Sequence, residues 1–310
     1  MTTNRARSAP VVESTHELVG STPVVRLRRV APEGGAAIYA KAEHLNPSGS
    51  SMDRVAGALL DAAPTRGLTA GQPLVIASSG DLGIALALMT ITRGHRLTVV
   101  MPDDASVERR QLLRACGVDV VLTDAEAGIA GARARAARIA EGDAYPLDAY
   151  TASEVPDVHA ETTGRELIEA LGAIDAFVCA VGTGGTLRGV ARALREAGRT
   201  PAIVAVEPEA SPVLSGGAPG PTRLVGVGSG FVPPHYDAAT VDRVIAVSDR
   251  AAYEMKVRLA REEGLLVGLS AGANLVAACA VAEELGPEAI VATVLPDTGE
   301  RYFSLDGALR

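Results

Sequence analysis

The chain of 310 residues is long enough for one large or two medium domains, and with 47% hydrophobic and 21% charged residues it can bury a substantial core. Its formal net charge of −8, with lysine only at Lys41 and Lys256, leaves no basic face for a nucleic-acid backbone. No apolar run reaches membrane-spanning length, no basic head precedes an apolar core at the N-terminus, and Cys116, Cys179 and Cys279 lack metal-ligand spacing, so a cytoplasmic protein with buried thiols is expected.

In chain order, the first dozen residues read as a loose tail rich in Thr, Arg, Ser and Pro. A helix is predicted over Met52–Ala62, then a strand over Leu74–Ala77 and a helix over Leu82–Thr92. Strand Leu97–Met101, helix Val107–Ala115, strand Val118–Leu122 and helix Ala125–Glu141 follow. After a composition shift near Ala149–Pro156 come strand Ala176–Val181, helix Thr186–Ala197, strands Ala202–Val206 and Val244–Val247, helix Arg250–Glu263, helix Ala273–Leu285 and strand Ala289–Leu295. The strands are short, β-branched and bounded by Gly, Pro or Asp. Their alternation with Ala-rich helices predicts an α/β fold with mostly parallel sheets. Ser211–Pro221 reads as a surface loop or lid.

Five segments carry possible chemistry. Asn46–Arg54 is a turn entering a helix. Ala77-Ser78-Ser79-Gly80-Asp81-Leu82-Gly83 passes from strand to helix; it suits an anion such as a carboxylate, or an Asp81 helix cap. Val181-Gly182-Thr183-Gly184-Gly185-Thr186 follows a strand and opens a helix, so it reads either as a phosphate cup, formed by inward-pointing N–H groups and the helix N-terminus, or simply as a strand-to-helix turn. Its spacing differs from the dinucleotide-binding glycine pattern, which speaks against a dehydrogenase. Gly264–Ala273 and Leu295–Tyr302 complete the set. The five histidines, His16, His44, His95, His159 and His235, form no ligand cluster in sequence, so no metal site is expected.

In this order and spacing these segments resemble the cysteine synthase and cystathionine β-synthase family, the fold-type II pyridoxal-phosphate enzymes, from about Val19 to Phe303. Gly20–Val24, Val206–Pro208, Ser211–Gly217 and Gly226–Pro233 add to the likeness, and Ser79–Gly83 also resembles the diaminopropionate synthase branch. The resemblance implies a two-domain, tryptophan synthase β-like architecture with parallel sheets flanked by helices. A smaller domain is expected over residues 36–148, and a larger one over 1–35 plus 149–310. It implies a homodimer with the ligand cleft between domains. It assigns Gly182, Thr183, Gly184, Gly185 and Thr186 to the cofactor phosphate, Ser270 to the pyridine nitrogen, and Ser78, Ser79, Gly80 and Leu82 to the substrate carboxylate.

Three departures fall on the chemistry. Met52 stands where the family motif Asn-Pro-x-x-Ser-x-Lys-Asp-Arg has the lysine that holds the cofactor and shuttles a proton; a thioether does neither. Asp81 replaces an Asn expected to face the cofactor ring, where a carboxylate meets like charge. Ala149 stands at a substrate-positioning Gln, with His159 following in register. A one-site variant of an active enzyme would keep Asn and Gln at those two places. The expectation is a cysteine-synthase-like pseudoenzyme that takes a phosphorylated small molecule, or a partner protein of the same pathway, with pyridoxal phosphate bound non-covalently or not at all. The alternative is an enzyme of cysteine or diaminopropionate type metabolism with altered chemistry, with Asp81 as its acid or base.

Overall fold

The computed structural model describes residues 11–307, so most of the expected N-terminal tail lies outside the described residues. Among the described residues, ten strands form two sheets. β1 (Val24–Leu27) and β2 (Ala37–Lys41) come first, followed by helix α1 (Met52–Ala62). The smaller sheet is then assembled from β3 (Leu74–Ala77), α2 (Asp81–Arg93), β4 (Leu97–Pro102), α3 (Val107–Ala115), β5 (Asp119–Thr123), α4 (Gly128–Ala140) and β6 (Tyr145–Leu147). Its order is β5-β4-β3-β6 and every pairing is parallel. Leu74, Val75, Ile76, Val99, Val100 and Met101 are fully buried, as expected where helices cover both faces of a parallel sheet.

The chain returns through α5 (Glu154–Val158), a π-helical turn at His159–Gly164 and α6 (Arg165–Leu171). The larger sheet is built from β7 (Ala176–Ala180), α7 (Gly185–Glu196), β8 (Ala202–Pro208), β9 (Arg243–Val247), α8 (Asp249–Arg258), α9 (Leu269–Leu285) and β10 (Ile290–Val294), with α10 (Phe303–Asp306) last. Its order is β1-β2-β10-β7-β8-β9, parallel except for the β1–β2 pair. α9 is buried along most of its length. Its Ala271, Ala273, Ala277, Ala278 and Ala282 join the core of the larger sheet, so a chain poor in aromatics packs by close approach of small side chains.

Three expectations need correction. The expected boundary puts β2 in the smaller domain, but β2 pairs with β1 on one side and β10 on the other, so the smaller unit begins after Lys41. The helix expected over Ala125–Glu141 starts at Gly128, after a separate 3-10 turn at Ala125–Ala127. The helix expected to run to Glu263 leaves α geometry at Arg258 and finishes in a π turn, Leu259–Glu263.

Candidate functional site

A cavity of about 130 Å³ opens between the two sheets, at the carboxyl ends of β3, β7 and β10. That is where open α/β sheets place ligands. Its wall gathers Met52, Ser78, Ser79, Asp81, Leu82 and Ala149 with Gly182, Thr183, Gly184, Thr186 and Ser270. Residues from positions 52 to 270 of the chain therefore meet in one place. Two assigned residues do not reach the wall. Gly185 opens α7 and packs against Val155, and Gly80 packs against Arg109.

The turn after β7 presents the first N–H groups of α7, which have no intrahelical partner. A Cβ on Gly182 would run into the carbonyl oxygen of Gly226, so the turn needs glycine there to pass beneath the 226–235 segment. That segment is tied down by Gly228 N–H donating to Val181 O and Ser229 Oγ donating to Gly182 O, at 3.0 and 3.2 Å. Thr186 Oγ1 lies 3.2 Å from His159 Nε2, whose other ring nitrogen is 2.9 Å from Thr163 Oγ1. Burial pushes the His159 pKa down to about 4, so a neutral imidazole positions the Thr186 hydroxyl.

Across the cavity, Ser78 Oγ accepts from Gly80 N–H and Gly83 N–H, at 3.0 and 3.1 Å. Ser78 therefore closes the start of α2. Asp81, a candidate cap from sequence, makes no capping bond. Met52 is the first residue of α1 and faces the cavity. The neighbouring Arg54 turns away from it, toward Glu43 and Glu166, at 2.7 Å each. Neither lysine of the chain lines the cavity. Lys41 is fully buried, paired with Glu166 at 2.6 Å and hydrogen-bonded to Thr22. Lys256 Nζ lies over the Tyr302 ring, 5.4 Å from its centroid, on α8.

The main electrostatic feature is a cluster that local sequence patterns do not reveal. Asp81 accepts from Arg109 Nε and Nη2 at 3.1 and 3.2 Å, and from Arg301 Nη1 at 2.5 Å. Arg109 Nη2 also donates to Asp297 Oδ2 at 3.1 Å, and Tyr302 OH donates to the same oxygen at 2.5 Å. Arg109 stacks on the Tyr302 ring, 4.4 Å from its centroid. Burial alone would raise the Asp81 pKa, but the charges of Arg109 and Arg301 overcome it and hold the carboxyl well below the usual range. Burial and the Asp81 charge push Asp297 the other way, to about 7. A carboxylate gripped by two guanidinium groups is a poor proton acceptor. The acid/base role suggested for Asp81 is therefore corrected: its ionised form is fixed by partners that sequence patterns do not bring to it. Asp297 and Tyr302 fall in the last of the five segments, but without an assigned role; Arg109 gives no signal.

Among the described residues no group of three or more His, Cys, Asp or Glu side chains is arranged to hold a metal ion, and no helix is long and apolar enough to cross a membrane.

The family model described as pyridoxal-phosphate dependent enzyme matches residues 16–297. The chain is 43% identical over 297 residues to a cysteine synthase of Staphylococcus aureus strain Mu50, covering 94% of this chain and 96% of that one. It is 42% identical over 303 residues to a probable cysteine synthase of Bacillus subtilis strain 168, covering 96% and 97%. Among solved structures, a mutant of O-ureido-L-serine synthase with O-ureido-L-serine bound superposes with a TM-score of 0.91 at 39% identity, covering 95% of this chain and 93% of that one. The O-acetylserine dependent cystathionine beta-synthase from Helicobacter pylori also gives 0.91, at 34% identity, covering 96% and 98%.

Proposed function

The chain belongs to the pyridoxal-phosphate dependent enzyme family, with a cysteine-synthase-like fold, and we propose that within it this protein has given up covalent cofactor chemistry and binds a phosphate-bearing small molecule in the cleft between its sheets. One observation carries this reading: the cavity presents the Met52 thioether at the start of α1, while both lysines of the chain are placed outside the wall. A thioether cannot form a Schiff base or accept an α-proton.

The residues fit the phosphate and ring of pyridoxal phosphate. The Gly182–Thr186 turn offers backbone N–H groups and the Thr183 and Thr186 hydroxyls, and Ser270 stands on the same wall for a ring nitrogen. When bound to an amine, that cofactor supplies an electron sink for carbanion chemistry. The residues of this chain would hold the phosphate and orient the ring, but no side-chain amine reaches the cavity to attach it. Asp81 does not restore proton transfer, because its carboxylate is committed to Arg109 and Arg301.

The test is an absorption spectrum of the purified protein with and without added pyridoxal phosphate, then borohydride reduction and intact mass. A bound band without a mass increment is expected, together with no turnover of O-acetylserine and sulfide. A stoichiometric adduct, or cysteine formation at a rate typical of enzymes, would refute the proposal.

A further inference from the structure

The larger sheet parts at one place. β10 pairs with β7 only from Val291–Ala176 to Thr293–Val178. On their other sides the same strands stay paired further along: β7 with β8 as far as Ala180–Val206, and β10 with β2 as far as Val294–Lys41. The split therefore lies between β7 and β10, and Cys179, Ala180, Val294 and Pro296 beside it line the cavity.

The direction of the backbone groups shows what the split interrupts. Successive peptide groups of a strand point to opposite neighbours. Val181 N–H donates to Val206 O of β8, so Ala180 N–H points toward β10. Leu295 N–H donates to Lys41 O of β2, so Val294 C=O points toward β7. Ala180 N–H and Val294 C=O are thus the next rung of the ladder, and the Asn274 side chain from α9 stands in it. Its Oδ1 accepts from Ala180 N–H at 2.6 Å, and its Nδ2 donates to Val294 O at 2.8 Å. The rung after that lacks a donor, because residue 296 is proline. Asn274 is fully buried, and its one amide satisfies two backbone groups that the split would otherwise orphan.

Asn274 lies one helical turn after Ser270, on the same face of α9. Ala180 comes two residues before Gly182. Resting on the phosphate-ligand reading above, we infer that Asn274 is the positioning residue of this cavity: its amide replaces a ladder rung, keeps the carboxyl ends of β7 and β10 apart, and fixes the Gly182–Thr186 turn relative to Ser270. Asn274 is not part of the wall, so it acts through the groups it spaces. It therefore matters for a ligand that spans the turn and Ser270, and not for a phosphate held by the turn alone. Without the amide, Ala180 N–H and Val294 C=O either meet directly, which narrows the crevice, or lose their partners.

The probes are pyridoxine 5′-phosphate, which carries both ring and phosphate, and inorganic phosphate, each titrated calorimetrically into the full-length protein. The ratio of their affinities is the readout, with thermal melts alongside. In Asn274→Ala that ratio is expected to fall about tenfold, while the affinity for inorganic phosphate changes little. Thr293→Val is the control. Thr293 is equally buried and its Oγ1 donates to Val178 O at 2.8 Å, linking the same two strands where they are still paired. It should lower the melting temperature and leave the ratio unchanged. A ratio untouched by Asn274→Ala, or lowered as much by Thr293→Val, would reduce Asn274 to a structural residue and overturn the inference, leaving the phosphate-ligand reading standing. No binding of either compound by the wild type would overturn both. Should Asn274→Ala fail to fold, Asn274→Ser, which keeps a hydroxyl for one of the two backbone groups but is too short to span them, is expected to lower the same ratio, and an unchanged ratio there overturns the inference equally.

Discussion

Asp81→Asn should destabilise the protein, although it keeps the side chain's shape. Asp81 sits between two guanidinium groups whose own side chains are 1% and 4% exposed, and it supplies both oxygens to them. Two arginines face two carboxylates in this cluster; the substitution leaves them with Asp297 alone. Removing one partner of a buried ion pair costs about 3–5 kcal/mol. Two features lower that figure. Asp81 is 21% exposed toward the cavity, so water can solvate part of the imbalance. Asparagine also keeps a carbonyl oxygen that accepts from one arginine. A loss of about 2–3 kcal/mol remains. For a chain of this size, about 2 °C per kcal/mol converts this to a fall of about 4–6 °C in apparent Tm. Thermal melts of both proteins at about pH 8, under identical conditions, make the comparison without assuming two-state unfolding.

The same substitution has a second, signed consequence. A carboxyl whose folded pKa is raised holds its proton longer when folded than when unfolded. Its contribution is greatest below the unfolded value of about 3.9 and falls as pH rises through the folded value. For Asp297 that decline ends near 7. Asp81 is one cause of the raised value, so Asp81→Asn should move the decline to lower pH. An unchanged or higher Tm, with an unchanged pH profile, would show that the two arginines do not hold Asp81 and would refute the cluster's energetics.

Met52→Lys should create a borohydride-stable adduct with pyridoxal phosphate, read by intact mass; the absence of one means that the start of α1 does not aim its side chain at the bound carbonyl. Gly182→Ala should abolish binding of phosphate compounds and lower stability by about 1–3 kcal/mol, because the new Cβ meets the Gly226 carbonyl; calorimetry with unchanged affinity would contradict this. His159→Gln should flatten the acid side of the stability curve. The folded pKa of about 4 lies below the unfolded value of about 6.5, so wild-type stability is fully present above 6.5 and falls by about 3 kcal/mol as pH drops to 4. Urea midpoints across that window, compared between the two proteins so that Asp297 cancels, should differ in slope; parallel curves would count against a buried neutral imidazole.

The parallel strands are legible because their runs are apolar throughout, as at Leu74–Ile76 and Ala176–Cys179, and only a strand covered on both faces needs that pattern. β6 escapes the pattern because Tyr145-Pro146-Leu147 is three residues long and carries a proline, which suits only an edge. β1 escapes it because Arg26 interrupts its four residues, and β2 because its apolar run is only Ala37–Ala40 before Lys41 ends it. The 154–171 helical stretch is hidden by Pro156 and Gly164, and it passes through a π turn at His159. At the site, the glycine turn and Ser270 are visible in local motifs. The Asp81–Arg109–Asp297–Arg301 cluster is not, because its members lie up to 220 residues apart and no periodicity connects them.

The glycine turn carries less weight as a sign of ligand binding than its conspicuous sequence suggests. Gly182 is needed because Gly226 O lies over it, and Gly185 because Val155 packs against it, whether or not a phosphate is present. Drift at those positions would disturb the fold before it disturbed a ligand. Positions 52 and 81 are different, since an active site can lose its chemistry there without losing its core. At position 52 a methionine lines the cavity, and the Asp81 carboxylate is committed to Arg109 and Arg301.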